Sequence, residues 1–164
     1  DKRISVAKEI IKDIEKYLDT KRAELKTEQE RNLSFPQDRY LVSIKKSLAK
    51  IGDEESIQWW LSELKKSGLN NNETQRFREM LEYENIPANH PIIKALAQNE
   101  NPELRILSLD AISKFPIAAN RAILQKLLND SDERVSSAAQ EVAEELEEIR
   151  NTSIDELIYN PKGS

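Results

Sequence analysis

Apolar residues recur along most of this chain at intervals of three and four, which is the spacing of one face of an α-helix. The first run predicts one long helix from Ile4 to about Gln29, before Pro36 interrupts the pattern. Strict alternation of apolar and polar residues, which would indicate strands, is rare. The residues of this first apolar stripe are Ile4, Ala7, Ile11, Ile14, Leu18 and Leu25, and Ile10 and Tyr17 widen it.

Shorter helices with start and stop signals follow. Asp38 is the predicted N-cap of a helix running to Ile51, and Gly68 is expected to end a helix over 54–66. A third helix over 73–83 is followed by two helix pairs that begin at Pro91, with breaks at 101–102, 116 and 131–132. A last short helix is predicted over 154–159, capped by Thr152 or Ser153.

The two helix pairs repeat one pattern at an offset of 31 residues. The stretch HPIIKALAQNENPELRILSLDAISKF (90–115) aligns with RAILQKLLNDSDERVSSAAQEVAEEL (121–146), so that Leu104 matches Val135 and Asn99 matches Asp130. Each unit consists of a short helix, a polar turn and a longer helix. Because neither unit can bury its apolar face alone, stacking of the units is expected.

The turn and second helix of these units resemble the HEAT repeat family, best over 90–148 and fairly over 38–67. The resemblance implies an all-α fold, a short right-handed α-α solenoid with a long N-terminal helix. It also implies that Arg105 bonds along the stack from one turn to the next, whereas Ser136 stands where the second unit would have its arginine. The repeat positions that carry the resemblance are Asn99, Pro102, Leu104, Arg105, Asp130 and Val135.

The adjacent tryptophans Trp59 and Trp60 cannot share one helix face, because neighbouring residues point about 100° apart. The spacing groups Trp60 with Ile57, Leu61 and Leu64 in the core. Trp59 either packs sideways against a neighbouring helix or borders a partner-binding surface, since the second helices of HEAT units line the concave face. The candidate partner surface comprises Trp59, Glu63, Lys66, Ile106, Asp110, Glu141 and Glu144.

Charge and composition narrow the function classes. The net charge of −5 is distributed as +4 over 1–50, −2 over 51–129 and −7 over 130–164. An acidic C-terminal part disfavours nucleic acid and anionic membranes as partners. The chain has no cysteine and no apolar run long enough to cross a membrane, so we expect a cytoplasmic protein without membrane insertion. It begins at Asp1 and not at Met, which suggests a processed or excised piece.

The sequence contains few residues that could act in catalysis or bind a metal. His90, the only histidine, stands directly before Pro91, where capping or exposure is a better explanation than catalysis. The segment DSDE (130–133) lacks the glycine and terminal glutamate of a calcium loop. We therefore expect no catalytic residue, no metal site and no cofactor.

These observations favour a non-enzymatic scaffold or regulatory module that binds a protein partner. Two alternatives remain open: a regulatory domain of a membrane transporter or signalling protein, and a HEAT-like enzyme of the DNA glycosylase or bilin lyase kind. The expected organisation is a long helix acting as cap or connector (1–33), a repeat domain (38–150) and a C-terminal short helix and tail (151–164).

Overall fold

The fold is all-helical. A computed structural model describes residues 2–27, 30, 34–69, 72–83 and 86–159, and within these ranges it contains eight helices of seven residues or more and no strand. The predicted all-α class is therefore confirmed. The helices are α1 Lys2–Glu24, α2 Pro36–Lys50, α3 Glu54–Lys66, α4 Asn72–Tyr83, α5 Pro91–Ala97, α6 Pro102–Lys114, α7 Ala118–Leu127 and α8 Glu133–Tyr159.

The chain divides into two compact units, residues 1–63 and residues 64–164, and the division falls inside α3. The first unit contains α1, α2 and most of α3, and the second contains α4 to α8. The predicted organisation into 1–33, 38–150 and 151–164 stays a prediction.

In the first unit, α1 and α2 form an antiparallel hairpin. Three ion pairs show the antiparallel direction: as the residue number on α1 rises by seven, the number of its partner falls by seven or eight. Leu18 and Leu48 are buried in this unit, as are Ile57, Trp60 and Leu61 of α3, so the predicted core position of Trp60 is confirmed. The three ion pairs are Arg22–Asp38 at 2.8 Å, Glu15–Lys45 at 2.7 Å and Lys8–Asp53 at 2.8 Å.

The first helix is shorter than predicted, since it ends at Glu24 and not near Gln29; Gln29 itself lies outside the described residues. The reason is a competing start signal. The Glu30 carboxylate accepts hydrogen bonds from the backbone N–H groups of Lys26 and Thr27, while the Thr27 hydroxyl accepts one from the N–H of Glu30. This reciprocal capping box favours a new helical start at Thr27.

The predicted N-cap role of Asp38 is wrong. Phe35 occupies the N-cap of α2, Pro36 is its first residue, and Asp38 lies in the first turn. The Asp38 carboxylate accepts a 2.7 Å hydrogen bond from the backbone N–H of Phe35 and also binds Arg22. Proline tolerates the first helical position because its missing N–H would have no intrahelical partner there. Pro36 therefore starts this helix as well as separating it from α1.

In the second unit, α6 contacts α4, α5, α7 and α8, while α7 contacts α5 and α8. The core follows the predicted repeat, because aligned positions of the two helix pairs are buried alike: Ile93 with Leu124, Leu96 with Leu127, and Leu104 with Val135.

Helix starts in this unit use the predicted signals. The His90 ring nitrogen Nδ1 accepts a 3.1 Å hydrogen bond from the N–H of Ile92, so His90 caps α5 and the capping interpretation is confirmed. Asn101 caps α6 in the same way, through a 2.9 Å bond from the N–H of Glu103. His90 is buried, so the alternative of plain exposure is wrong.

The turns of the two helix pairs are bonded to each other through Arg105. Its guanidinium donates two 2.8 Å hydrogen bonds to the carboxylate of Asp130 and two more to the backbone carbonyls of Asn99 and Glu100. Asn99 and Asp130 play equivalent local roles, since each accepts from the N–H two residues later. The side chains of Arg105 and Asp130 are only 14% and 11% exposed, so this pair is largely shielded from water.

Other contacts recur at nearly the same sequence separation. Arg134 pairs with Glu103 at 2.6 Å, 31 residues away, and Arg78 pairs with Asp110 at 2.6 Å, 32 residues away. The buried Asn120 amide donates to the backbone carbonyls of Ala88 and Phe115 at 3.0 and 2.7 Å. Equivalent positions of successive helices therefore meet repeatedly.

The predicted break near Thr152 and Ser153 is wrong, because α8 is one continuous helix of 27 residues that includes both positions. Ser and Thr can cap a helix or lie within one, and no Pro or Gly occurs between Glu133 and Tyr159 to force an interruption. The tail from 160 to 164 lies outside the described residues.

Candidate interaction surfaces

Trp59 lines a groove in the first unit. It is half-buried, and the groove has a volume of about 360 Å³. The Nζ atom of Lys45 lies 5.3 Å from the centroid of its ring, within the range of a cation–π contact. The walls of this Trp59 groove are Lys8, Ile11, Lys12 and Glu15 of α1, Lys45 of α2, and Glu55, Ser56 and Trp59 of α3.

Two ion-pair clusters fix the groove walls. Lys45 binds Glu15, and Lys8 bridges Asp53 and Glu55 at 2.8 and 3.1 Å. The hydrogen bond to Asp53 raises the pKa of Lys8. Burial raises the pKa of Asp53, but hydrogen bonds from Lys8 and Ser56 outweigh it and hold that pKa below its ordinary value. The groove is thus an amphipathic site whose paired charges surround one indole ring.

The sideways packing of Trp59 is observed, whereas its role in a partner surface stays a prediction. The ring packs against neighbouring helices and also remains half-exposed at a groove. The residues that complete the groove on α1 and α2 were absent from the predicted surface. A heptad-like spacing of Lys8, Glu15 and Arg22 was the available signal, because charged residues seven apart on an otherwise apolar helix indicate a bordering partner helix.

In the second unit, Asp110 lies in a groove that crosses three helices and has a volume of about 670 Å³. Arg78 binds Asp110 across α4 and α6, and Ser113 donates a 3.1 Å hydrogen bond to Glu145 across α6 and α8. We call this the three-helix groove; its lining residues are Gln75, Arg78, Leu109, Asp110, Ser113, Lys114, Val142 and Glu145.

The other predicted surface residues of this unit do not all join it. Glu144 lines a separate groove of about 300 Å³ between α7 and α8, together with Arg121 and Arg150. Glu141 and Lys66 are exposed, and Ile106 is half-buried. In the first unit Glu63 is exposed. The structure therefore separates Asp110 from Glu144, which the sequence grouped on one surface.

Within the described ranges, no three His, Asp or Glu side chains cluster as a metal site, and none of the helices is both long and apolar enough to cross a membrane. No family model, curated protein or solved structure matches the chain.

Proposed function

We propose that the chain is a non-enzymatic protein-interaction module whose second unit is a short HEAT-like solenoid. The solenoid part is supported by the Arg134–Glu103 pair, which joins equivalent positions 31 residues apart. It is also supported by the Arg105–Asp130 pair, which connects successive turns across 25 residues. Stacked helix pairs create extended binding surfaces because corresponding helices lie side by side.

The observation that carries the binding proposal is the three-helix groove. It is lined by α4, α6 and α8, so a segment bound in it would contact all three helices. Its charged residues form cross-helix bonds that hold the walls, whereas the half-buried Val142 supplies accessible apolar area above the buried Leu109. This combination of fixed polar rim and apolar floor suits a polypeptide segment lying across the helices.

Site-specific crosslinking tests this proposal. A photoreactive benzoyl-phenylalanine replaces Ser113 in the groove or, as a matched control, the exposed Ala122 on α7, and each protein is irradiated in extract of its native host. We expect one crosslinked partner from position 113, little from position 122, and loss of the adduct when Val142→Arg fills the groove. Equal labelling from both positions, or labelling insensitive to Val142→Arg, would refute the groove as the binding site.

A further inference from the structure

The first unit carries an open apolar face. Of the seven large apolar side chains that are exposed among the described residues, six lie within residues 1–63. Five of these six lie on one side of the α1–α2 hairpin and are between 46% and 67% exposed. We call this surface the hairpin face; its residues are Val6, Ile10, Tyr17, Tyr40 and Ile51.

Helix geometry puts the three α1 members together. At about 100° per residue, Val6, Ile10 and Tyr17 fall within roughly 40° of one another. They lie about 100° to one side of the buried Leu18, whereas the ion-pairing residues of α1 lie on its other side.

The same holds for α2. Tyr40 and Ile51 are eleven residues apart and therefore point within about 20° of each other. Both point away from Lys45, whose ion pair to Glu15 borders the Trp59 groove. Because the hairpin is antiparallel, both sets of apolar residues are turned to the side of the hairpin that is opposite the ion pairs and α3.

The antiparallel register also aligns the two sets along the hairpin. The paired residue numbers sum to 60 or 61, as in Glu15–Lys45 and Lys8–Asp53. By that rule Ile10 lies across from Ile51, and Tyr17 lies across from Ile44, which is half-buried. The residues of the hairpin face therefore follow one side of the hairpin, with Asp13 lying between Ile10 and Tyr17.

We infer that the hairpin face is a self-association surface that pairs with the same face of a second copy of this chain. This inference does not rest on the proposed function, since it concerns the first unit and a different surface. Two antiparallel hairpins packed face to face make a four-helix bundle, and one surface used twice is the arrangement of a two-fold dimer.

The area of the face fits this occupant. With about 150–250 Å² for a large side chain, the exposed fractions leave on the order of 500 Å² of apolar surface on each copy. A stable interface buries about 800 Å² per partner, roughly 60–65% of it apolar, which is again on the order of 500 Å². The charged residues of α1 on or beside this side of the helix are Lys2, Arg3, Glu9, Asp13, Lys21 and Glu24. They are of mixed sign, so no block of like charge opposes a second copy.

Analytical ultracentrifugation tests the inference directly. The full chain has a monomer mass of 18.9 kDa, and we expect about twice that mass at tens of micromolar. Ile51→Lys and Ile10→Lys should each weaken association by about 100-fold or more, because each buries an unpaired charge in the contact. The matched control is Ile149→Lys on α8, where an isoleucine of similar exposure, 54% against 63% for Ile51, lies outside the face.

The inference is supported if wild type and Ile149→Lys are dimeric while Ile51→Lys and Ile10→Lys are monomeric. Circular dichroism must also show that the helices of each variant are intact. A wild type that is monomeric throughout, a larger assembly, or equal dissociation by Ile149→Lys would overturn the inference. A second measurement tests the inference without the lysine variants, in case these fold poorly. Because the chain has no cysteine, a spin label at Ser43→Cys, an exposed position on α2 outside the face, reports the distance between two associated copies. Absence of a defined inter-copy distance would also overturn the inference.

Discussion

Replacing Arg105 by alanine should be costly, because this one side chain satisfies several shielded acceptors. The substitution removes both hydrogen bonds to Asp130 and the bonds to the carbonyls of Asn99 and Glu100. Hydrogen bonds to charged groups contribute about 1.5–3 kcal/mol each, and breaking a fully buried ion pair costs about 3–5 kcal/mol. Since the pair is 14% and 11% exposed, we expect a loss of roughly 2–4 kcal/mol.

Urea denaturation followed by circular dichroism measures this loss, and Arg134→Ala is the matched control. Arg134 lies on the next long helix and pairs with Glu103 and Asp132, but its side chain is 61% exposed. Exposed pairs contribute about 0–1 kcal/mol, so Arg134→Ala should be nearly neutral. A cost for Arg105→Ala within about 0.5 kcal/mol, the scale of ordinary surface changes, would refute the structural role assigned to it.

The same pair predicts a pH dependence. The hydrogen bond from Arg105 holds the pKa of Asp130 below its ordinary value of 3.8. A carboxyl group with a lowered folded-state pKa contributes stability that is fully present above its unfolded-state pKa and is lost as pH falls through the folded-state pKa. Wild type should therefore lose stability below about pH 4, and Arg105→Ala should lose less over that window. An unchanged acid dependence in the variant would show that Asp130 gains nothing from Arg105.

Three further results are expected. Leu104→Ala, at a fully buried position, should cost about 2–5 kcal/mol in urea denaturation, and a loss below about 0.5 kcal/mol would contradict the repeat register. Asn120→Ala should cost about 1–3 kcal/mol because it removes the two hydrogen bonds that the buried Asn120 amide donates to the carbonyls of Ala88 and Phe115; a neutral result would mean that water replaces the amide. In acrylamide quenching, Trp60→Phe, which retains Trp59, should be quenched more than Trp59→Phe, since Trp60 is 4% exposed and Trp59 is half-buried; the reverse order would contradict these burials.

Periodicity predicted the helices well wherever one face is buried. The bounds of α3 and the inward position of Trp60 followed from residues at i, i+3, i+4 and i+7, because that spacing reports burial directly. The ends of helices were less predictable, because polar side chains can hydrogen-bond to the backbone and so start or extend a helix at more than one position. Thr27 starts a new turn where the stripe was expected to continue, while Thr152 lies within a helix that it was expected to cap.

The surfaces were predicted only in part, because they depend on contacts between residues distant in sequence. Trp59 could be singled out as off the apolar stripe, but the groove around it needs Lys8 and Glu15, some 45 residues earlier. Asp110 and Glu144 are both acidic, but they line two different grooves, which only the packing of the helices reveals. The HEAT resemblance, the regulatory-domain and enzyme alternatives and the identity of the partner stay predictions.

The neighbour-to-neighbour contacts of the second unit have a consequence for how it folds. Its cross-helix bonds span 25 to 35 residues, as in Arg105–Asp130 and Lys65–Glu100. Contacts between residues this close in sequence favour rapid folding. Repeat units that contact their neighbours in sequence can also form one after another. We therefore expect native-state hydrogen exchange to show this unit opening in successive steps, as a row of coupled segments and not as a single block.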